Sequence, residues 1–116
     1  MNVNKLIDDT LSPLGYPVDY ISYAGSADRY FTYNYADDRA ELYADNEPIN
    51  DVAYMQIHFF SPKTFNHMQV KKQVRKSLYN AGFSYPRISS FYEDDTGMNH
   101  LVFECEIEGI SDIEED

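Results

Sequence analysis

The sequence predicts an α+β fold of two layers: a mostly antiparallel β-sheet with two helices on one face, in the order α-β-β-β-α-β-β. Three observations predict it. Two stretches carry apolar residues at helical spacing. Five others alternate apolar and polar residues or concentrate Tyr, Phe and Thr. The connections are short, which favours antiparallel neighbours and puts both helices on the same side of the sheet. A chain of 116 residues suits one domain. It can bury roughly two-thirds of its unfolded surface. A hydrophobic content of 43% is that of a globular chain. Residues 1–109 are expected to form the domain and residues 110–116 an acidic, frayed tail.

Residues 3–14 read as the first helix. Val3, Leu6, Ile7, Leu11 and Leu14 form an apolar stripe that also includes Thr10. Asn2 or Asn4 offers the N-cap, and Pro13 and Gly15 close the helix. Tyr16 to Tyr23 is a strand, with Pro17 marking an edge or a start. Residues 24–28 turn. Arg29 to Tyr35 (RYFTYNY) is a stronger strand, interrupted by Asp37-Asp38; Ala40 to Ala44 continues it after a bulge or turn. Residues 45–51 (DNEPIND) read as a polar loop whose Pro48 excludes a central strand. Val52 to Phe60 alternates most clearly. Met55, Ile57 and Phe59 point one way, and Tyr54, Gln56 and His58 the other.

Phe65 to Phe83 (FNHMQVKKQVRKSLYNAGF) reads as the second helix, of about five turns at 3.6 residues each. Val70, Val74, Leu78 and Ala81 make one stripe, expected to pack on Met55, Ile57, Leu101 and Phe103. Ser61-Pro62, Thr64 and Asn66 offer caps; Gly82-Phe83 is a stop signal. Tyr85 to Glu93 and Met98 to Glu108 form a hairpin through Asp94-Asp95-Thr96-Gly97. In the last strand Leu101, Phe103, Cys105 and Ile107 face the core, and Glu104, Glu106 and Glu108 face water.

Charge is segregated. The net charge is −11, which argues against a general nucleic-acid surface. Between Val52 and Tyr92 there is no Asp or Glu, and that stretch is +6 while the remainder is −17. The basic helix reads either as a solvated face paired within the monomer, or as one pole of a subunit that associates head to tail. The candidate interface residues are therefore Lys71, Lys72, Arg75 and Lys76 on the helix, and Asp37, Asp38, Asp45, Glu47, Asp94 and Asp95 in the acidic turns. The eleven tyrosines are sheet decoration or part of an interface.

No nucleophile motif, phosphate loop or zinc spacing is present. His58 and His100 can approach each other across the sheet; His67 lies on the apolar stripe and reads as a hydrogen-bonded core or boundary residue. The carboxylate pairs are first of all turn residues. The one cysteine, Cys105, reads as a small apolar core residue of a reducing compartment. The N-terminal stretch MNVNKLIDDT does not read as a signal peptide, and no apolar run approaches the ~20 residues that cross a bilayer.

Four segments carry a resemblance. They are Tyr33-Asn34-Tyr35 with residues 42–48 (LYADNEP), residues 54–59 (YMQIHF), the helix end Leu78…Ala81-Gly82-Phe83, and residues 92–100 (YEDDTGMNH). From about Tyr30 to Ile107 the chain resembles the tail-terminator, or tail-to-head joining (tail completion), proteins of long non-contractile-tailed phages and prophages. Its most specific piece is the Glu-Asp-Asp-Thr-Gly…His turn, while Met98-Asn99 departs from the Leu-Tyr that relatives often carry. The resemblance implies a virion assembly subunit that forms a ring, usually hexameric, at the end of the tail tube. Its partners would be itself, the tail tube protein and the head–tail connector protein, with DNA only passing through the lumen. It implies a place at the head–tail junction of the virion, and in the host cytoplasm during assembly. It implies no catalytic residues, and neither cofactor, metal nor membrane is expected. The alternatives are another neck or head-completion protein of the same virion, or a monomeric acidic module that holds an acidic partner with its basic helix.

Overall fold

In a computed structural model of the chain, the structure describes residues 2–44 and 47–110, with side chains for residues 2–36 and 52–108. The element order is as expected. Helix α1 spans Val3–Leu11 and runs on as a 3-10 turn, Ser12–Leu14; strand β1 is Val18–Tyr20, β2 Tyr30–Ala44 and β3 Glu47–Pro62. Helix α2 is Met68–Asn80, β4 is Arg87–Glu93 and β5 is Met98–Ile110. The sheet order is β1-β2-β3-β5-β4. Strands β3 and β4 are both antiparallel to β5, so they run parallel to each other, joined over the sheet by α2 with β5 inserted between them. No helix among the described residues is long and apolar enough to cross a membrane.

Both helices cover one face of the sheet. Val3, Ile7 and Leu11 of α1 and Val70, Val74 and Leu78 of α2 share a core with Phe31, Met55, Ile57, Phe59, Leu101 and Phe103. Each large side chain buried this way contributes roughly 1.5–3 kcal/mol over its exposed state. Asn2 caps α1 by accepting from the Lys5 amide at 3.0 Å. Helix α2 is shorter than the expected Phe65–Phe83. Its N-cap residue is His67, which lies at the boundary with Nδ1 buried and without a hydrogen-bond partner among the described residues. Asn66 Oδ1 instead accepts from the Met68 amide at 3.1 Å. The stop signal works as the residues indicate: Gly82 is left-handed (φ +108°), and the Phe83 amide reaches back to the Leu78 carbonyl at 3.1 Å.

Three expectations are corrected. Strand β1 pairs with β2 in parallel, not antiparallel. The loop of residues 21–29 is long enough to carry the chain back to the start; Ile21 takes φ +70° there, and its amide bonds to the Tyr33 carbonyl. Of the bulge or turn expected at Asp37-Asp38, the structure has the bulge, one residue earlier, and β2 runs on through it. One register shift between Tyr35 and Asp37 absorbs Ala36, as a bulge does, and pairing with β3 continues to Ala44. Residues 47–51 belong to β3 rather than to a loop. Pro48 is tolerated because, among the described residues, β5 pairs with β3 as far as Ile110, opposite Asp51, and at Pro48 the partner is Tyr43 of β2. Strand β5 also extends to Ile110, past the expected end of the domain. Asp45 and residues 111–116, the rest of the acidic tail, lie outside the described residues.

Candidate functional site

The candidate interface cations lie together on α2. Lys72 and Lys76 are exposed, while Lys71 and Arg75 are half-buried. The Arg75 guanidinium lies 5.2 Å from the centre of the Tyr85 ring, and Tyr85 meets Tyr79 edge to face at 5.9 Å. Both tyrosines are about 60% exposed, at 59% and 60%. Together with Lys72 and Lys76 these residues line a concavity of about 310 Å³. Sequence reasoning named the cations and missed the two tyrosines; the signal was Tyr79 on the polar side of the helix with Tyr85 just past its end.

Among the described side chains, no candidate carboxylate is brought to these cations. Asp37 and Asp38 follow the β2 bulge, paired through the backbone with Tyr54 and Ala53, and Glu47 opens β3 opposite Ala44. The side chains of these three lie outside the described residues, as does all of Asp45. Asp94 and Asp95 are exposed in the turn between β4 and β5, at the other end of the sheet. Among the described residues the ion pairs are Lys5–Asp9, Arg29–Asp28, Arg87–Glu104 and His100–Glu93. None involves Lys71, Lys72, Arg75 or Lys76.

The face of the sheet away from the helices holds a second constellation. Its residues come from alternate positions on four strands: Asn34, Gln56, His58, His100, Glu104 and Glu93. The Gln56 amide donates to Glu104 Oε2 at 3.2 Å, and Asn34 Nδ2 donates to Gln56 Oε1 at 3.1 Å. Asn34 Oδ1 then faces His58 Nε2 at 2.8 Å, and His58 Nδ1 faces His100 Nε2 at 2.7 Å. His100 Nδ1 lies 3.2 Å from Glu93 Oε2.

The donors can be assigned by following the chain from its Glu104 end. An ionised carboxylate only accepts, so Gln56 gives its N–H and turns its oxygen to Asn34. Asn34 then turns its own oxygen to His58, whose Nε2–H donates. That leaves the His58 Nδ1 lone pair to accept from His100. The neutral state of His58 suits its surroundings: burial first, and then the neighbouring His100, lowers its pKa from the ordinary 6.5.

Aromatic rings flank this chain. Tyr23 stacks on Tyr30 at 4.4 Å, Tyr30 on Phe60 at 5.0 Å and Phe60 on His100 at 4.3 Å, with Phe91 at 6.0 Å completing the row. Phe91 is 55% exposed. The meeting of His58 and His100 was foreseen from strand alternation; the amides that tie them to two carboxylates were not. Among the described residues no group of three or more His, Cys, Asp or Glu is placed to hold a metal ion. Cys105 is buried, and burial, with a smaller push from Glu106, raises its thiol to about 12, so it carries little thiolate at neutral pH. Compared with known proteins, the chain matches no family model, and no curated protein matches it.

Proposed function

We propose that this chain is a virion assembly subunit: a tail terminator whose copies form a ring, six being the number the resemblance implies, at the end of the tail tube and join it to the head connector. The observation that best supports this is the cation and tyrosine face of α2, which has no carboxylate partner in its own chain among the described residues. Exposed tyrosines and arginine are the residue types enriched where proteins meet. A ring needs two different patches on every subunit. A chain of net charge −11 offers acidic surface for the second patch. Acidic walls also suit a channel that passes DNA, because they repel phosphates.

The test uses tubes polymerised from a tail tube protein of the same phage. Purified protein added to growing tubes should stop elongation and leave a ring visible by electron microscopy at one end. Tubes that keep growing with bare ends would sink the proposal. Capture of an acidic protein by single copies, with no effect on tubes, would favour the monomeric module, whose evidence is the same concavity on α2.

A further inference from the structure

The two-layer fold leaves two surfaces uncovered, and their chemistry is complementary. The outer side of α2 presents Lys72 and Lys76 beside the Tyr79/Tyr85 concavity. The bare face of the sheet presents Glu104, Glu106 and Glu108 in succession along β5, because these alternate with the core residues Phe103, Cys105 and Ile107. Beside them is a groove of about 410 Å³ bordered by Tyr54, Arg87, Glu104, Glu106 and Tyr85, the last shared with the α2 concavity, so the two surfaces adjoin there. Resting on the self-association proposed above, we propose that the bare sheet face of one copy receives helix α2 of the next. Lys76 lies over Glu106, Lys72 over Glu108, and Tyr79 enters the groove by Tyr54.

The spacing supports this register. Residues four apart on a helix rise about 6 Å. Residues two apart on one face of a strand are separated by about 6.6 Å. The two lysines therefore match the two glutamates pairwise. With α2 antiparallel to β5, the next residue outward from Lys76 is Tyr79, on the side of Glu104 and the groove. The turn aspartates fit less well. Asp94 and Asp95 cap one end of the sheet, and the β2–β3 hairpin caps the other. Strand β3 between them has 16 residues, so the two ends of the sheet stand roughly 50 Å apart. They bracket the basic helix rather than mirror it. The acids that dock are thus the glutamates of β5. Two different patches engage, so contact propagates from copy to copy, and a fixed rotation closes the series.

Charge exchange tests this. Lys72→Glu/Lys76→Glu and Glu106→Lys/Glu108→Lys are made separately and followed by sedimentation at low ionic strength, with circular dichroism as the control for folding. Wild-type protein should assemble beyond two copies. Each variant alone should lose about tenfold or more in association constant, because like charges now face each other. An equimolar mixture, and a chain carrying all four changes, should regain the wild-type mass. If Glu106→Lys/Glu108→Lys assembles as wild type while the lysine variant does not, α2 docks elsewhere and this assignment is overturned, although the ring stands. Wild-type mass that stops at one or two copies also overturns it. Should a variant fail to fold, oxidation of a Lys76→Cys/Glu106→Cys/Cys105→Ser chain gives a ladder of linked copies under the proposal and single chains otherwise. Variants that behave as expected while wild-type protein leaves tail tubes uncapped would remove the terminator reading and keep this interface.

Discussion

The same two strands, β3 and β5, build two unlike surfaces. On the helix side Met55, Ile57, Phe59, Leu101 and Phe103 are almost wholly buried. On the bare side their neighbours Gln56, His58, Phe60, His100 and Glu104 are half-buried and tied by directed hydrogen bonds and ring stacking. One surface is held by volume and the other by donor–acceptor order. Apolar packing tolerates small shifts of shape, whereas a chain of hydrogen bonds fails when one member is lost. The two surfaces should therefore respond differently to substitution.

The largest effect is expected on the covered side. Leu78 is fully buried between α2 and the sheet. Leu78→Ala should cost about 2–5 kcal/mol, the lost transfer energy plus a cavity. Denaturant unfolding measures it, with the midpoint moving and the slope unchanged. A cost below about 1 kcal/mol would mean that the site collapses freely and that the covered face is not held by volume.

That side was the legible one. Period-two alternation in residues 52–60 and 98–108, and the stripe Val70/Val74/Leu78, specify which side chains are buried without any knowledge of pairing. The bare side needs more. Whether Asn34 sits beside Gln56, and Phe60 beside His100, depends on register, and register follows from the turns and the β2 bulge rather than from any one strand. The parallel pairing of β1 was hidden for a related reason. A three-residue strand carries almost no pattern, and its direction is decided by a loop. Pro48 misled because a residue's effect on a ladder depends on how many partners its strand has there. On α2 the cations were legible from charge alone, while the turn of Tyr85 onto Arg75 depends on where the chain runs after Gly82.

A smaller effect is expected on the bare side. Asn34→Ala leaves the His58 Nε2–H and the Gln56 oxygen without partners, at a cost of about 1–3 kcal/mol. The same surface should give the protein a pH dependence. The folded state holds the His58 pKa below its ordinary 6.5, so the fold prefers the neutral ring. The unfolded chain takes up that proton first as acid is added. The stability due to this group is therefore complete above about pH 6.5 and is lost as the pH falls below it. His58→Gln, which keeps a donor towards Asn34, should remove this part of the slope. The substitution leaves every other titratable group in place, so the difference between the two stability curves isolates the histidine. Parallel curves from pH 7.5 down to about 5.5 would show that His58 titrates alike in the folded and unfolded chain.

The smallest effect on stability belongs to the surface with the largest proposed role. Lys72 and Lys76 are exposed, neither makes an ion pair among the described residues, and both lie on the side of α2 away from Val70, Val74 and Leu78. Lys72→Glu/Lys76→Glu removes no buried contact. Glutamate and lysine have similar helix propensities, so the helix itself is nearly indifferent. The change places negative charge in the middle of α2, beyond the reach of the end-turn dipole effects. It leaves a single chain's thermal midpoint within the range of ordinary surface substitutions, about 0.5 kcal/mol either way. The contrast with Leu78→Ala, only two residues further along the helix, is what sharpens the comparison of surfaces. If the lysine pair were instead partnered within the monomer, reversal would set like charges together and destabilise the single chain by more than that. Thermal unfolding at a dilution where copies are separate reads this directly. A fall in midpoint equal to that of Leu78→Ala would return the basic helix to the role of an internal electrostatic partner.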